Sequence, residues 1–582
     1  MSDGKISTSA AESKREKFPL EPCLRSYTLI REYLDSIKHT GPVGLSCDDT
    51  KLFPAFRPYW DATEEAHYVV GCAGSPVRIV NIEDFTSQLQ RGLLEKATKV
   101  SVPSNIKLLY QLISSQIRLW CVQVPLPNVA PAIVAARAIP DKVPAEELVR
   151  YQLEILCGLI DQKINVVSSA SDGSATERSM QRKLTLNAGG TWEYRIRHPK
   201  PTDPGKPDII TSIPIFKGQP VVMVQDAKHA AKTARNNAYT GAKLLTLGNY
   251  IAMYSQIRRA AFAHDGPLYR KDVEKVDRQD DNAACRLLSA ATLRWFVANP
   301  KGEDVRGLIV YLFLMGELVD AYQSRTLPHV ERVKMVLRLH FFLERWEAFL
   351  GRAGYGKSTH FVSHQFRDIL RYLIFGLIQL VIVYRDTYKS RFPLLLWLHS
   401  TEICEHVFGL LRTLVKDFTM LDFYQMVKKL FIRLRMFTQS TLPAVDKSTD
   451  AGYTQTYADC RGIDLTALSA FPTDEQINEA ARQAYDEADS LLSILGVSPD
   501  LFTEPTADAT PSTTPWEQVD DFDDDDDEFN DDTMIDEAAE ISHLYECAET
   551  LEGSSISPDR QRQIKDLSRE LVILHTRQDT DM

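Results

Sequence analysis

The sequence predicts an α/β region followed by a large all-α region in the same chain. Up to about residue 225, segments with strand and helix patterns alternate, as in folds whose strands and helices pack in layers. From about residue 230 to residue 435, long segments carry apolar residues at helical spacing and few strand signals. A helical block of this size beside an α/β unit indicates an insertion or a separate helical domain.

Composition and charge narrow the class of protein. The chain has 582 residues, enough for roughly three or four domains, and its 44% hydrophobic and 25% charged residues are typical of globular proteins. The net charge of −12 comes from residues 517–540, which hold 14 Asp and Glu and no Lys or Arg, so the rest of the chain carries +2. We expect this acidic tail to be disordered and to bind a basic protein.

The sequence shows no secretory or membrane signal, and we expect a nuclear or cytoplasmic protein. The polar N-terminus has no apolar core of a signal peptide, so we expect no secretion. The longest apolar runs, at residues 307–316 and 372–384, fall short of the ~20 residues that cross a bilayer, so we expect no membrane partner. Nine scattered Cys without a CxxC motif indicate reduced thiols and exclude a zinc finger of standard spacing.

The α/β region is predicted as follows. Apolar periodicity predicts helices over residues 24–37 and 145–160. Apolar and β-branched runs predict strands over residues 43–47, 68–72, 164–168, 191–197, 209–213 and 220–224.

The all-α region and the C-terminal part follow. Helices are predicted over residues 238–258, 281–297, 305–321, 328–350, 366–388 and 401–414. Thr473 and Gln476 form a capping box that opens a helix through Ile494, with Gly496 at its end. The predicted domains are a flexible leader (1–20), an α/β part (21–237), a helical insertion (238–398), a helical segment that carries an acid (399–440), a C-terminal helical segment (441–503), a disordered acidic linker (504–540) and terminal helices (541–582).

Carboxylates stand at three points where catalysis could use them. Asp48 and Asp49 end one apolar strand, Asp172 ends a second, and Glu405 lies in the first turns of a helix. Acids from two strand ends and a helix can converge, and Mg²⁺ or Mn²⁺ takes such oxygen ligands. Two ions about 3.5–4 Å apart stabilise the attacking and leaving oxygens in phosphoryl transfer. The plainer interpretation is that Asp at a strand end caps a turn or helix.

A fourth polar segment runs from a strand into a helix at residues 221–237. Its spacing places four polar side chains near one helical face: Asp226, His229, Lys232 and Asn236. The best candidates for contacts with DNA phosphates are Lys228, Lys232 and Arg235. The alternative is an ordinary solvated face with a structural histidine.

This fourth segment resembles the catalytic domain of P-element-type transposases, the family that includes the THAP-domain transposases. In that family a strand leads into the pattern D-x-P-H-x-x-K-x-x-R-N. The chain matches this pattern at Asp226, His229, Lys232, Arg235 and Asn236. It departs from the pattern before the histidine, where Lys228 replaces proline.

The other three segments resemble the family's remaining motifs, in the family's order. Residues 47–50 are similar to its F-D-E-M pattern, with Asp48 as the catalytic acid, and residues 171–174 are similar to its S-D-x-G-S pattern, with Asp172. Residues 405–412 match E-H-F-F-G-x-x-R, with Glu405 as the acid and Val407 in place of an aromatic residue. The four motifs cover about residues 40–430.

The resemblance implies an RNase H-like mixed sheet, interrupted by a helical insertion before Glu405. It implies Asp48, Asp172 and Glu405 as catalytic and metal-binding residues, with a two-ion Mg²⁺ or Mn²⁺ site, and a homo-oligomer that cleaves and transfers transposon-end DNA. The residues expected to support the site or contact DNA are Asp49, Asp226, His229, Lys232, Arg235, Asn236 and His406. GTP binding in the insertion is a family property to which no residue here can be matched. The chain is also similar to the transposon-derived proteins that fungal genomes carry.

Two departures from the family leave alternatives open. Only Cys23 and Cys47 precede Asp48, so we expect the family's N-terminal zinc-coordinating domain to be missing, and the interval from Asp48 to Asp172 is long. A domesticated or inactive copy, acting as a non-catalytic interaction protein, is therefore one alternative. Another is a P-loop NTPase, because residues 351–358 satisfy G-x-x-x-x-G-K-[ST], with Gly356, Lys357 and Ser358 as nucleotide ligands. The apolar helical pattern before Gly351 favours a helix–helix turn instead.

Overall fold

The structure is a computed structural model. It describes residues 20, 22–61, 65–79, 114–200, 207–239, 243–274, 276–300, 304–439 and 462–498. The predicted leader up to residue 19, the acidic linker and the terminal helices lie outside the described residues.

The described strands number thirteen. They are β1 (Pro42–Lys51), β2 (Arg57–Asp61), β3 (Ala66–Val70), β4 (Val77–Ile79), β5 (Gln116–Gln123), β6 (Ala132–Ile139), β7 (Asn165–Ser171), β8 (Gly190–Ile196), β9 (Ile209–Phe216), β10 (Gln219–Pro220), β11 (Val222–Gln225), β12 (Thr246–Leu247) and β13 (Tyr250–Ile251).

The described α-helices number fourteen. They are α1 (Leu24–Ser36), α2 (Ala145–Asp161), α3 (Ala175–Leu186), α4 (Ala227–Tyr239), α5 (Tyr254–Phe262), α6 (Asp281–Leu287), α7 (Ala290–Ala298), α8 (Arg306–Gln323), α9 (His329–Ala353), α10 (Lys357–His360), α11 (His364–Asp386), α12 (Glu402–Leu414), α13 (Met420–Gln439) and α14 (Asp474–Ile494). Short 3-10 turns occur at Arg270–Asp272, Leu396–Leu398 and Ala467–Ser469.

A five-stranded mixed sheet forms the centre of the α/β part, in the order β11-β7-β1-β5-β6. The strands β1, β7 and β11 run parallel, whereas β5 is antiparallel to both β1 and β6. The two parallel connections carry helices, as such crossovers require, and the antiparallel strands need only loops. This is the predicted RNase H-like mixed sheet, and the fold class is confirmed.

Both faces of the sheet are covered. On one face, apolar side chains of α1, α2 and α3 pack against β1, with Trp120 of β5 in the same cluster. On the other face, α12 and α13 pack against β5 and β6. Since β5 is buried on both faces, seven of its eight residues, Ile117–Gln123, are buried, and its sequence lacks the alternation of a half-exposed strand.

The helical insertion lies between α4 and α12 in sequence. Its largest helices, α8, α9 and α11, share one hydrophobic core with α4, α14 and the strands β7 and β11. The helix predictions for α8, α9, α11 and α12 are confirmed to within three residues, and so are those for α1 and α2. The domain boundaries themselves remain predictions.

Two predicted helices in the insertion are wrong in detail. Instead of one helix over residues 238–258, the structure has the short hairpin β12–β13 and then α5. Gly248 turns this hairpin at a φ of +60°, and a Cβ there would lie 2.6 Å from the carbonyl oxygen of Leu495. The helix predicted over residues 281–297 is split at Ser289, whose Oγ accepts from the Thr292 amide and caps α7.

The C-terminal helix α14 begins as predicted. The Gln476 amide donates to Thr473 Oγ1 at 3.3 Å, and the Thr473 amide donates to Gln476 Oε1 at 2.9 Å. Ile477, Ala481 and Tyr485 on its apolar face belong to the core of the insertion. The capping box is therefore confirmed.

Among the described residues, no helix combines the length and the apolar character needed to cross a bilayer.

We predict opposite stability effects for alanine at two helical glycines. At Gly158 in α2, a Cβ would lie 2.2 Å from a ring carbon of the buried Tyr27 of α1, so Gly158→Ala should destabilise the protein by about 1–3 kcal/mol through overpacking. At Gly409 in α12, a Cβ would meet no atom within 4 Å, so Gly409→Ala should stabilise the helix by about 0.5–1 kcal/mol. Urea unfolding midpoints of the two variants measure both effects, and equal midpoints would contradict the packing of α1 on α2.

Candidate active site

Asp48 and Asp172 lie beside each other where the pairing of the parallel strands β1 and β7 ends. Asp172 directly follows β7, whereas β1 continues past Asp48 to Lys51. The pairing of Ser46 with Ala170 places the two aspartates level with each other, each two residues further along. Because strand side chains alternate, Asp48 shares the face of Ser46, whose Oγ donates to the Ser400 carbonyl just before α12. The two predicted acids therefore meet the segment that leads into the helix with the third.

Asp226 extends this row by one strand. Ser171 of β7 pairs with Gln225 of β11, so Asp226 follows the next strand end at the level of Asp172. The edge formed by β1, β7 and β11 therefore carries three aspartates side by side.

Asp48 is half-buried and lies in a strongly negative environment. Burial raises the pKa of its carboxyl well above the usual range, and the nearby charges of Asp172, Glu405 and Asp49 raise this pKa further. The Asp49 amide donates to Asp48 Oδ1 at 2.8 Å, which acts in the opposite direction. The structure thus brings the three predicted acids into one electrostatic neighbourhood, while their catalytic role remains a prediction.

Glu405 projects from the first turn of α12 toward this edge. One side of the residue is open to solvent, but surrounding protein atoms desolvate the carboxyl enough to raise its pKa to about 7. The charge of Asp226 adds to the rise, Lys232 opposes it, and Asp281 and Glu402 add further negative charge. The pKa of Glu405 is therefore set by its neighbours as well as by partial burial.

The Asp226 carboxylate anchors two helices at once. Its Oδ1 accepts from the amides of Lys228 at 2.7 Å and His229 at 3.0 Å, which caps α4. Its Oδ2 accepts from both the amide and the Oγ1 of Thr401, each at 3.1 Å, at the residue before α12. The geometry gives Asp226 a positioning role for Glu405, and sequence reasoning had left its role open.

His229 lies against the segment that carries Asp172. A Cβ on Gly173 would come within 2.9 Å of the His229 Cδ2 atom, so only glycine leaves room for the imidazole here. The Ser174 amide donates to Asp172 Oδ1 at 3.0 Å, which fixes the aspartate at the start of α3. The motifs at residues 171–174 and 226–236 thus meet in space.

The two lysines of α4 are engaged in ion pairs. Lys228 Nζ lies 2.7 Å from Glu402 Oε1, and Lys232 Nζ lies 3.2 Å from Asp281 Oδ1. Lys228 therefore links α4 to α12, and Lys232 links α4 to α6 of the insertion. Their predicted role as phosphate contacts remains a prediction, and both ammonium groups already have protein partners.

Arg235 is buried, which corrects its predicted role as a contact with DNA. Its guanidinium donates to the carbonyl oxygens of Asp277 at 2.8 Å and Asp280 at 2.9 Å, in the loop before α6. Asn236 Oδ1 accepts from the same guanidinium at 3.3 Å. Arg235 therefore holds the insertion against α4, Asn236 accepts from Arg235 within α4, and the buried Arg235 cannot reach a phosphate in this conformation.

Asp49 faces the opposite side of the sheet, where the structure reveals two residues that sequence reasoning missed. The buried guanidinium of Arg118 in β5 lies 3.3 Å from Asp49 Oδ2 and pairs with Glu177 of α3. Burial raises the pKa of Glu177 to about 7, Arg118 opposes the rise, and Asp172 and Asp49 add to it. Asp49 is therefore one of two acids that share one arginine behind the candidate site.

A buried histidine links the insertion to the sheet. His399 lies between Ser168 of β7, whose Oγ is 2.7 Å from Nδ1, and Tyr384 of α11, whose hydroxyl is 3.0 Å from Nε2. Gly44 of β1 leaves room for this network, since a Cβ there would lie 3.3 Å from His399 Nδ1. Burial lowers the pKa of His399 to about 3, so the imidazole is neutral. No motif marked this residue in the sequence.

His406 packs between α12 and α13. The centre of its ring lies 4.1 Å from that of Phe437, and burial lowers the pKa of its imidazole. The contact supports the structural interpretation of this histidine, and its predicted part in proton transfer remains a prediction.

The predicted phosphate-binding loop at residues 351–358 is wrong. The segment follows the long helix α9, whereas such a loop must follow a strand and open a full helix. Gly356 and Ser358 flank Lys357 at the start of α10, which has only four residues, and Lys357 Nζ lies 2.5 Å from Glu347 Oε1. The motif is a helix–helix turn closed by Gly354 at a φ of +75°.

Within the described ranges, no group of three or more His, Cys, Asp or Glu side chains is arranged so that it could hold a metal ion.

The chain was compared with known proteins. No protein-family model matches it, and no curated protein matches it. Among solved structures, it is similar to the Drosophila P element transposase strand transfer complex, with 15% sequence identity and a TM-score of 0.43. This similarity covers 68% of the present chain and 76% of the transposase chain. A fungal origin remains a prediction.

We predict that Asp226→Asn loosens α12 and leaves the start of α4 in place. The asparagine keeps one oxygen for the amides of Lys228 and His229, but it turns an NH₂ group toward the Thr401 amide. Amide exchange around Thr401–Glu405 should accelerate about tenfold or more, while residues 228–232 keep their protection. Hydrogen-exchange mass spectrometry measures both segments, and Asp226→Ala, which removes both anchors, is the comparison. Unchanged exchange at Thr401 would contradict the positioning role.

We predict a pH-dependent stability effect of His399. Its pKa is about 3 in the folded protein and about 6.5 when unfolded, so below pH 6.5 the unfolded state takes up a proton that the native state does not. Stability is therefore lost as the pH falls, and the wild type should lose roughly 2 kcal/mol more than His399→Gln between pH 7 and pH 5. Urea unfolding at both pH values measures the difference. The exposed His364→Gln is the control, and a wild-type-like pH slope in His399→Gln would refute the prediction.

Proposed function

We propose that the protein is a transposase-derived enzyme that cleaves and transfers DNA strands with Mg²⁺ or Mn²⁺. The observation that carries this proposal is that Asp48 and Asp172 lie level with each other where the pairing of β1 and β7 ends, with Glu405 in the same electrostatic neighbourhood. Strongly raised carboxyl pKa values at one edge of a sheet are typical of catalytic sites. The proposed partner is DNA, and assembly into a homo-oligomer remains a prediction.

The donor set fits a hard divalent cation. Asp48, Asp172 and Glu405 offer carboxylate oxygens, the ligands that Mg²⁺ and Mn²⁺ take. Their mutual repulsion raises the pKa of Asp48, and a bound cation would offset that repulsion. Because the described side chains are not arranged as a metal site, the proposal requires these carboxylates to move toward one another when an ion binds. When bound, the ions would supply Lewis-acid stabilisation of charge on the phosphoryl oxygens.

The remaining residues position the site for in-line attack on phosphorus. A water molecule or a 3′-hydroxyl would lose its proton to solvent as its oxygen forms the new P–O bond. The P–O bond to the 3′-oxygen of the cleaved strand would break, and that oxygen would take up a proton. Asp226 holds Thr401 and thus the first turn of α12, which sets the position of Glu405. Lys228 fixes the same turn through Glu402. This preorganisation holds Glu405 at the edge that carries the two aspartates.

A second candidate function is a non-catalytic interaction protein on the same scaffold. The observation that favours it is the position of Lys232, whose ammonium group lowers the pKa of Glu405. This ammonium group compensates part of the negative charge that a metal ion would otherwise compensate. In this case the sheet and insertion would serve binding alone.

We predict Mn²⁺-dependent nicking of supercoiled DNA by the full chain. Asp172→Asn should lower the nicking rate by roughly 1000-fold or more, because it removes a ligand charge with little change in shape. Asp161→Asn, which alters an exposed carboxylate paired with Lys217, is the matched control and should keep wild-type activity. Agarose-gel nicking assays measure the rates, and Mn²⁺ binding by calorimetry gives a readout besides activity.

The outcomes separate the two candidates. Nicking that needs Mn²⁺ and is lost in Asp172→Asn supports the enzyme. Wild-type protein that binds DNA without cutting it supports the interaction protein instead, provided that the Mn²⁺ concentration exceeds the one that saturates Mn²⁺ binding in calorimetry. Nicking that survives in Asp172→Asn would refute the proposed role of this carboxylate.

A further inference from the structure

The exposed face of α13 carries a concentration of positive charge that no function described so far uses. Four exposed cationic side chains lie on this helix: Lys428, Lys429, Arg433 and Arg435. The single acid of the helix, Asp422, lies in its first turn and accepts from the amide and hydroxyl of Thr419. We call Lys428, Lys429, Ile432, Arg433, Arg435 and Met436 the basic face.

We infer that the basic face binds the phosphate backbone of the DNA that flanks the cleaved bond. This inference rests on the proposed function, which makes DNA the substrate. The lysines expected to contact phosphates, Lys228 and Lys232, are paired with acids, and Arg235 is buried. Contact with the DNA backbone therefore requires cations elsewhere, and α13 offers four on one helix.

The basic face leads away from Glu405. The helices α12 and α13 run antiparallel, since His406 near the start of α12 contacts Phe437 near the end of α13, and Arg433 Nη1 donates to Thr413 Oγ1 at 2.8 Å. At a rise of 1.5 Å per residue, Lys429 lies about 12 Å before Phe437 along the helix axis. The cations therefore form a track that begins beside the turn of α12 that holds Glu405.

The opposite face of α13 is fixed in the core, which makes the track rigid. Phe423, Leu430 and Leu434 are fully buried in the hydrophobic cluster that α12, α13, β5 and β6 share. The exposed residues recur at positions 428, 429, 432, 433 and 436, which is one face of a helix. A polyanion that lies along this face would meet all these cations without any rearrangement of the backbone.

Duplex DNA fits this face better than a protein partner does. DNA carries one negative charge per about 1.7 Å of its axis, so a row of cations can neutralise several phosphates at once. Arginine is common at both kinds of interface, whereas lysine is depleted at protein interfaces, so the adjacent Lys428 and Lys429 are the side chains that favour DNA. The exposed side chains of Ile432 (60%) and Met436 (67%) lie between the cations, where they can contact the sugars.

We predict that removal of three cations weakens DNA binding and its salt dependence. In the full chain without metal, K428A/K429A/R433A should bind a fluorescent 30-base-pair duplex roughly 10- to 100-fold more weakly at about 0.1 M salt. The slope of log K against log[salt] should fall in magnitude by roughly 2–3, since each phosphate contact contributes about 0.9. The matched control K142A/K271A/R294A removes three exposed cations from other surfaces and should bind like the wild type.

The outcomes distinguish this inference from the proposed function. If the slope is unchanged in the α13 variant while nicking is still lost in Asp172→Asn, the inference that the basic face binds DNA is wrong. The proposed nicking activity is then still supported. If the slope is reduced in the α13 variant but the wild type does not nick DNA, the basic face is supported as a DNA-binding surface and the proposed enzyme activity is not.

A second experiment tests whether an acidic peptide binds the basic face in place of DNA, with a synthetic peptide of residues 517–540 as the competing ligand. Wild-type protein that binds this peptide but not the duplex, through the same three side chains, overturns DNA as the occupant.

Discussion

The hydrogen bonds between Asp226 and Thr401 are the constraint on which the candidate site depends. They join two residues 175 positions apart and fix the start of α12 to the end of β11. The insertion lies between them, so its folding must bring its two ends back to the same edge of the sheet. The entropic cost of closing a loop grows only slowly with its length, and the core of the insertion offsets this cost with buried apolar area. The length of the insertion therefore does not prevent the Asp226–Thr401 hydrogen bonds from fixing the position of Glu405.

Negative charge accumulates on both sides of the same strand end. Asp48 and Asp172 lie on the side of α12, while Asp49 and Glu177 lie on the side of α3, and the charge of Asp172 raises the pKa of all three of these neighbours. The buried guanidinium of Arg118 compensates Asp49 and Glu177 only. The repulsion that remains is thus concentrated at Asp48, whose half-buried carboxyl is only partly screened by water. A fold that keeps such repulsion gains nothing in stability from it, which favours a functional reason for the arrangement.

Sequence patterns predicted the central strands β1, β7 and β11 and most of the long helices, but they missed the neighbouring strands β5 and β6. Helix α1 shows helical periodicity because one side of it packs on the core, whereas residues 376–384 of α11 are buried at every position. The strands β5 and β6 were not predicted, because both are almost wholly buried and Ala-rich β6 has no polar alternation. The candidate acids were found because each follows an apolar strand or opens a helix. Arg118, Glu177 and His399 could not be found, because their partners lie far away in sequence and only the sheet register brings them together.

The position of the lysines decides where DNA can approach. An edge that carries Asp48, Asp172, Asp226 and Glu405 repels a polyanion unless other charges attract it. Lys228 and Lys232 do not provide that attraction, because each compensates an acid of the protein itself. Asp281 of the insertion thus compensates the charge of Lys232 at the boundary between the insertion and α4. The cations that attract DNA must therefore lie on a different surface. The helix that follows Glu405 in sequence supplies such a surface, because its inner face is fixed by the sheet while its outer face is free to carry cations. One helical hairpin, α12–α13, can therefore combine a candidate catalytic acid with the charge that holds its substrate.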